Sequence, residues 1–182
     1  MNVSLRDAGA GDLHFLAELY GDEDVRPFLA GGGRYDRDSL LAELEAFELE
    51  PENGALVVIE VVGERAGAMQ WRRANERSRI AQLGGIAVHP AFRGRRLADE
   101  AARLLQRHLI FELGFHRLQL EVYGFNERAM RHAERSGFVR EGVKRKAYLH
   151  DGEWVDGVLY GLLEEDLAQT AQPRKDSSSA PT

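Results

Sequence analysis

The chain has 182 residues, 43% of them hydrophobic and 30% charged, a composition typical of one globular domain with a sizeable core. It contains no cysteine, which excludes disulfides, thiolate zinc sites and a cysteine nucleophile. The formal net charge of −6 argues against a nucleic-acid partner. No apolar run is long enough to span a membrane, and the first residues lack a signal-peptide core, so we expect a cytoplasmic protein without a membrane partner.

In the first half of the chain, strand-like segments surround two helical ones. Val3–Arg6 predicts a short strand, and leucines at helical spacing follow Asp12. The triple glycine Gly31–Gly33 predicts a turn, and Ser39 is expected to cap a second helix. Segments rich in β-branched and apolar residues then predict three strands, at 55–62, 65–72 and 80–88.

The second half begins with the clearest helix of the chain. Its apolar stripe consists of Leu97, Ala101, Leu104, Leu105, Leu109 and Leu113. Gln106 is expected on the polar side, and Gly114 is expected to end the helix. A strand at 117–123, a helix capped by Asn126 and a hairpin of strands 139–149 and 154–163 complete the series.

This order of elements predicts an α/β domain. We expect a mixed central sheet of about seven strands with helices on both faces, because a strand–helix–strand unit implies locally parallel strands. The domain is expected to cover residues 1–167. Residues 168–182 contain Ser177–Ser179 and two prolines but no large apolar residue, so they are expected to form a disordered, dispensable tail.

Residues 86–98 combine the end of a strand, a basic turn and a helix start. The first N–H groups of a helix lack intrahelical partners, and with the helix dipole they attract phosphate. Gly94 lets the backbone bend closely, and Arg93, Arg95 and Arg96 add positive charge. The segment therefore fits a diphosphate site; a solvated basic loop before an amphipathic helix is the alternative.

The same segment resembles the acetyl-CoA-binding motif of the GNAT family of N-acetyltransferases. Arg93, Leu97 and Ala98 match the motif, whereas Arg96 stands where the family prefers glycine. Further on, Asn126, Ala129 and the Gly137-Phe138 pair match the second half of the family core, and the flanking segments are most similar to the RimJ/RimL-type branch. The resemblance implies a sheet that splays between its fourth and fifth strands.

It also implies acetyl-CoA as cosubstrate and a small-molecule or peptide amine as acceptor. The residues expected to bind acetyl-CoA are Ile86, Ala87, Val88, Arg93, Gly94, Arg95, Arg96, Leu97, Ala98, Asn126 and Ala129. In the family, a backbone N–H in the bulged fourth strand polarises the thioester carbonyl; this maps to 86–88, and Gly84-Gly85 favours such a bulge. Asn126 can also be read simply as a helix cap.

The catalytic acid and base are less well defined by the resemblance. Ala133, Ala129 and Gln82 occupy positions where relatives carry a tyrosine, a serine and a glutamate. Glu121 and Tyr148 are the candidates left, although Glu121 also fits a polar strand residue and Tyr148 a pocket or packing aromatic.

These departures leave a second function open, a catalytically weak acyl-CoA-binding regulatory module. The six histidines form no metal-like cluster, so we expect no metal. A homodimer is possible.

Overall fold

The computed structural model of the chain describes residues 2–29 and 35–170. The predicted turn at Gly31–Gly33 and residues 171–182 of the predicted tail lie outside the described residues. Within them, the chain forms seven strands: β1 (Val3–Asp7), β2 (Gly54–Val61), β3 (Glu64–Asn75), β4 (Ile80–Val88), β5 (Arg117–Tyr123), β6 (Val139–His150) and β7 (Glu153–Leu163). The α-helices are α1 (Leu13–Gly21), α2 (Arg37–Leu49), α3 (Leu97–Arg107), α4 (Glu127–Arg135) and α5 (Glu164–Thr170).

All seven strands belong to one mixed sheet in the order β1-β2-β3-β4-β5-β7-β6. Neighbouring strands are antiparallel except β4 and β5, which are parallel and pair only at residues 80–82 and 117–119. Beyond these pairs the two strands diverge, which confirms the predicted seven-stranded sheet and its splay. The Asp151-Gly152 hairpin is also confirmed; both residues have positive φ, as a two-residue hairpin turn of this kind requires.

Helices cover both faces of the sheet and create two apolar cores. Because strand side chains alternate, β2 contributes Val57 and Ile59 to the core under α3, and Leu56 to the core under α1 and α2. Leu16 and Leu40 fill the second core and are fully buried. The sheet is therefore packed from both sides.

The expected cap of α2 was wrong by one turn. The helix begins at Arg37, and Asp36 is its cap: the Asp36 side chain accepts a hydrogen bond from the Ser39 N–H at 3.0 Å. Both residue types cap helices well, and the earlier one wins because Ser39 is already the third helical residue.

The predicted apolar stripe of α3 is confirmed at Leu97, Ala101, Leu105 and Leu109, which are buried, and is wrong at Leu104 and Leu113. Leu104 and Leu113 are 39% and 47% exposed, whereas Gln106 is fully buried and donates to the Ser136 carbonyl oxygen at 3.1 Å. Packing of α4 against α3 buries the side where Gln106 lies. The helix also changes at His108–Glu112 into a π-helical turn, which shifts the register before Gly114 ends it with a φ of 71°.

The carboxyl-terminal helix extends past the expected domain boundary. α5 continues to Thr170, three residues beyond 167, and its Leu167 is buried in the core under α3. None of the helices among the described residues is long and apolar enough to cross a membrane.

Candidate active site

The fourth strand is bulged at the mouth of the splay. Met69 of β3 faces two residues of β4, Gly85 and Ile86, because the register shifts between Ala68 and Gln70. Gly85 has a φ of 60°, a conformation that favours glycine, and its carbonyl oxygen accepts a hydrogen bond from the Tyr20 hydroxyl at 2.8 Å. The bulge expected from Gly84-Gly85 is thus present and is fixed by a buried tyrosine.

Beyond the bulge, the backbone of Val88 points into the splay. The N–H of His89 donates to the Ala66 carbonyl oxygen at 2.9 Å, towards β3. Because successive strand residues point their backbone groups in opposite directions, the N–H and C=O of Val88 face away from β3. The Arg93 Nε atom accordingly donates to the Val88 carbonyl oxygen at 3.1 Å. A polarising N–H donor is therefore available in the predicted segment 86–88.

The turn before α3 has two left-handed residues, Gly94 with a φ of 81° and Arg96 with a φ of 55°. Alternation of this kind can turn successive N–H groups to one side, which makes an anion-binding concavity. Arg95 and Arg96 are exposed, and Leu97 is buried beneath the first turn of the helix. Gly94, Arg96, Leu97 and Ala98 all line one large cleft.

Arg93 has a different position from the one its charge predicts. Its Nη1 lies 2.9 Å from Asp24 and its Nη2 3.3 Å from Asp22, so the guanidinium ties the turn to the end of α1. The side chain of Arg93 is therefore occupied within the protein, and its backbone is the part left for a phosphate.

Two helices form the other wall of the cleft. Asn126 caps α4, its side chain accepting from the Ala129 N–H at 3.0 Å. Buried Asp99 of α3 lies 2.7 Å from the Nδ1 of His132 and accepts from Arg135 Nε at 3.0 Å. Burial favours a higher pKa for Asp99, but the hydrogen bonds from Arg135 and His132 outweigh it and lower that pKa. This cluster, which sequence reasoning missed, fixes α4 against α3.

Glu121 and Tyr148 lie close together and both line the cleft. The Glu121 Oε2 atom is 2.8 Å from the Nζ of Lys144, and Glu121 and Tyr148 both lie over Gly157, where any side chain would overlap them. Burial, with the neighbouring carboxylate of Glu121, raises the pKa of Tyr148 to about 12. The phenol is therefore protonated at neutral pH, and the structure brings the two predicted catalytic candidates together.

The cleft passes through the splay and has a volume of about 1170 Å³. It connects the turn before α3 with a polar region beneath α2, where Glu43, Gln70 and Gln82 line it. Sequence reasoning missed Glu43 and Gln70. Within the described part of the chain, no group of histidines and carboxylates could hold a metal ion.

Residues 2–139 match the family model described as "Acetyltransferase (GNAT) domain". The chain belongs to the GNAT acetyltransferase family. The matched residues include the splay, the strand bulge and the turn before α3, where Arg96 has a positive φ.

Two curated proteins are similar to this GNAT chain, one over about half of its length and the other over nearly all of it. It is 32% identical over 82 residues to the SPbeta prophage-derived uncharacterized N-acetyltransferase YokL of Bacillus subtilis, covering 45% of this chain and 46% of that protein. The chain thus spans about half the length of the first relatives it matches. It is 25% identical over 173 residues to the spermidine N(1)-acetyltransferase of Escherichia coli, covering 94% of this chain and 92% of the relative.

Solved structures share the GNAT fold over nearly the whole chain. Spermidine N-acetyltransferase from Vibrio cholerae, in complex with CoA and spermine, superposes with a TM-score of 0.80 at 22% identity, covering 91% of this chain and 98% of that one. Mycobacterium smegmatis RimJ, in complex with CoA-disulfide, gives 0.79 at 22% identity, covering 93% and 85%. At this identity the likeness establishes the fold alone.

Proposed function

We propose that this chain transfers the acetyl group of acetyl-CoA to a primary amine. The observation that carries the proposal is the bulged, splayed fourth strand, which opens a cleft about 1170 Å³ in volume between an anion-attracting helix start and a polar acceptor side. The family to which the chain belongs supports the reaction type.

In this proposal the diphosphate of acetyl-CoA contacts the backbone of residues 93–98. The left-handed turn supplies N–H groups, and the exposed Arg95 and Arg96 supply charge. The pantetheine arm then follows the splay past the small side chains of Ala98 and Ala129, which both line the cleft. Asn126 serves this site through its cap, because it positions the first turn of α4.

The chemistry is a direct attack of the amine nitrogen on the thioester carbon. A carbon–nitrogen bond forms, the carbon–sulfur bond breaks, the amine loses one proton and the thiolate gains one. The Val88 N–H is the donor proposed to stabilise negative charge on the carbonyl oxygen. With a pKa of about 12, Tyr148 is a better hydrogen-bond donor than proton donor, since a thiolate is the weaker base.

We therefore predict that neither candidate catalytic side chain is indispensable. Holding amine and thioester together supplies roughly 7–11 kcal/mol in well-oriented systems, whereas acid–base help supplies about a hundred- to ten-thousand-fold. Glu121→Gln and Tyr148→Phe should each lower kcat by no more than this acid–base contribution of about a hundred- to ten-thousand-fold, with acetyl-CoA affinity unchanged. pH–rate profiles of both variants check this; a complete loss of turnover in folded Tyr148→Phe would identify Tyr148 as an essential acid.

The acceptor is tested with a panel of amines that includes an N-terminal peptide, amino acids and polyamines such as spermidine, the substrate named for the Escherichia coli relative. Release of free thiol that depends on one of these amines supports the transferase. Tight acetyl-CoA binding without turnover on any amine supports the regulatory module instead. A cytoplasmic location and a homodimer stay predictions, and light scattering checks the second.

A further inference from the structure

The acceptor side of the cleft contains buried oxygens that the protein leaves without hydrogen bonds. Among the described residues, four buried side-chain oxygens accept no hydrogen bond, and three of them belong to residues lining the cleft: Glu43, Gln70 and Glu121. Such oxygens are rare in native proteins because each is costly to bury unpaired. All three are acceptors, so the ligand that completes them carries N–H groups. Two are carboxylates that each lie beside one basic side chain, Glu43 beside Arg72 and Glu121 beside Lys144, and a cationic N–H donor suits their remaining lone pairs.

Two of these oxygens belong to the strands on either side of β4, Gln70 to β3 and Glu121 to β5. The Gln70 side chain packs against the bulge, where a Cβ on Gly85 would lie 3.4 Å from its Cγ atom. Glu121 lies on the strand that diverges from β4. An amine placed between these walls is beside the strand that supplies the Val88 N–H. Gln70 and Glu121 therefore suit the nitrogen that reacts.

Glu43 lies farther back, beneath α2, and suits a second nitrogen. Its side chain is only 12% exposed, and its Oε1 lies 2.6 Å from the Nη2 of Arg72. That oxygen nevertheless accepts no hydrogen bond, so the guanidinium N–H is not directed at it. Arg72 is half exposed and also lies over the Phe47 ring, 5.1 Å from its centroid. Arg72 is thus a close ion-pair partner of Glu43, and a well-directed donor is still missing at Oε1.

Aromatic side chains complete the surroundings of Glu43. Tyr35 lines the same cleft, and its ring lies 4.8 Å from that of Tyr20. An ammonium group at this place gains from the ring faces as well as from the carboxylate. Hydrophobic walls with one carboxylate at the end favour a short aliphatic chain that ends in a cation.

We propose that the acceptor carries two amine nitrogens: one, in its neutral form, is acetylated between Gln70 and Glu121, and the other, as a cation, is held by Glu43. This inference rests on the proposed function and names the substrate class of the same site. Glu43 is then a residue that determines specificity, and it acts on binding of the acceptor.

The test compares pentylamine with cadaverine, which have the same five-carbon chain and differ only in a second terminal amine. The wild-type chain should show a kcat/KM for cadaverine at least about tenfold higher. Glu43→Gln should remove this preference by raising KM for cadaverine, with kcat and the values for pentylamine nearly unchanged. Glu45→Gln, an equal change of charge at an exposed position of α2, is the matched control and should behave as wild type.

Melting temperatures establish that the variants are folded, and Glu43→Asp, which keeps the charge, should retain part of the preference. Equal wild-type kcat/KM values for the two amines, or a preference that survives in Glu43→Gln, would overturn the inference while leaving the transferase intact. If neither amine is acetylated, the proposed function fails for these acceptors, and calorimetry still tests the subsite. If the wild-type chain binds cadaverine and Glu43→Gln does not, the Glu43 subsite is supported. If the variant binds cadaverine as well as wild type does, the subsite is refuted.

Discussion

Arg96 has a backbone conformation that the family normally gives to glycine. Its φ of 55° is left-handed, and a side chain in that region costs roughly 1–2 kcal/mol. Arg96 precedes α3, and its carbonyl oxygen accepts the first hydrogen bonds of that helix, from the N–H groups of Asp99 and Glu100. Arginine at this left-handed position carries a strain that glycine avoids.

Arg96→Gly should raise the free energy of unfolding by about 1 kcal/mol, measured by urea denaturation, and leave CoA affinity unchanged or higher. Arg95→Gly is the control, because Arg95 lacks a positive φ and gains nothing from glycine. If CoA affinity falls strongly in the Arg96 variant alone, the Arg96 guanidinium is itself a phosphate ligand.

Single residues differ in how far the sequence predicts them. Asn126 was read correctly as a cap because a cap depends on the next three residues only. Glu43 was missed, since it lies among several acidic residues of α2 that read as a solvated face. Only the packing of α2 over β3 brings it against Arg72 and into the cleft.

Among the elements, the edge strand β1 pairs with β2 and is also linked to β3 through one buried carboxylate. Asp12, which is 3% exposed, accepts from Arg6 Nη1 at 2.7 Å and from Arg65 Nε at 2.7 Å. The bonds from Arg6, above all, hold the pKa of Asp12 well below its usual range. The position of Asp12 just before α1 predicts a helix cap, but its side chain makes no hydrogen bond to that helix and pairs with the two arginines instead.

Asp12→Asn should lower the free energy of unfolding by roughly 2 kcal/mol at pH 7. This loss is smaller than the loss from breaking a fully buried ion pair, because the guanidiniums of Arg6 and Arg65 are partly exposed. A depressed carboxyl pKa stabilises the fold above the unfolded value of about 4, and this contribution is lost as pH falls through that value towards the folded one. Denaturation curves from pH 7 to pH 3 should therefore draw closer together for wild type and variant, and most of the difference should remain at pH 3 because the folded-state pKa is lower still. Asp7→Asn, an exposed neighbour, should not change stability at either pH.

At the element scale, the strands were predictable because β-branched runs and turns are local signals, whereas the splay was implied only by the resemblance to the GNAT family. The phase of α3 was not, since its buried side depends on α4, which lies 20 residues further along the chain. Leu104 and Gln106 exchange their expected environments for this reason, and the π-helical turn gives no clear sequence signal.

For the whole molecule, one sheet is shared by two cores, and α5 is attached to the larger one through Leu167. The sequence placed the end of the domain at 167 because composition changes there, whereas the helix continues to Thr170.

A chain ending at Thr170 should match the full chain in melting temperature and CoA affinity. A chain ending at Leu163 loses Leu167 and should lose about 2–3 kcal/mol of unfolding free energy. Calorimetric scans of the two truncations decide this. A drop of several degrees for the longer one would show that residues 171–182 pack on the domain.

The short β4–β5 ladder also determines how fast individual backbone amide protons exchange with solvent. The Val88 amide points into the splay and has no strand partner there, so its proton exchanges with solvent deuterium while the fold stays closed. The Ala87 amide points to β3, and its exchange requires opening of the sheet. A thioester bound at Val88 would slow exchange of the Val88 amide proton and leave exchange of the Ala87 amide proton unchanged. The ratio of the two exchange rates therefore reports the fraction of chains with an occupied cleft, and this measurement requires no knowledge of the acceptor.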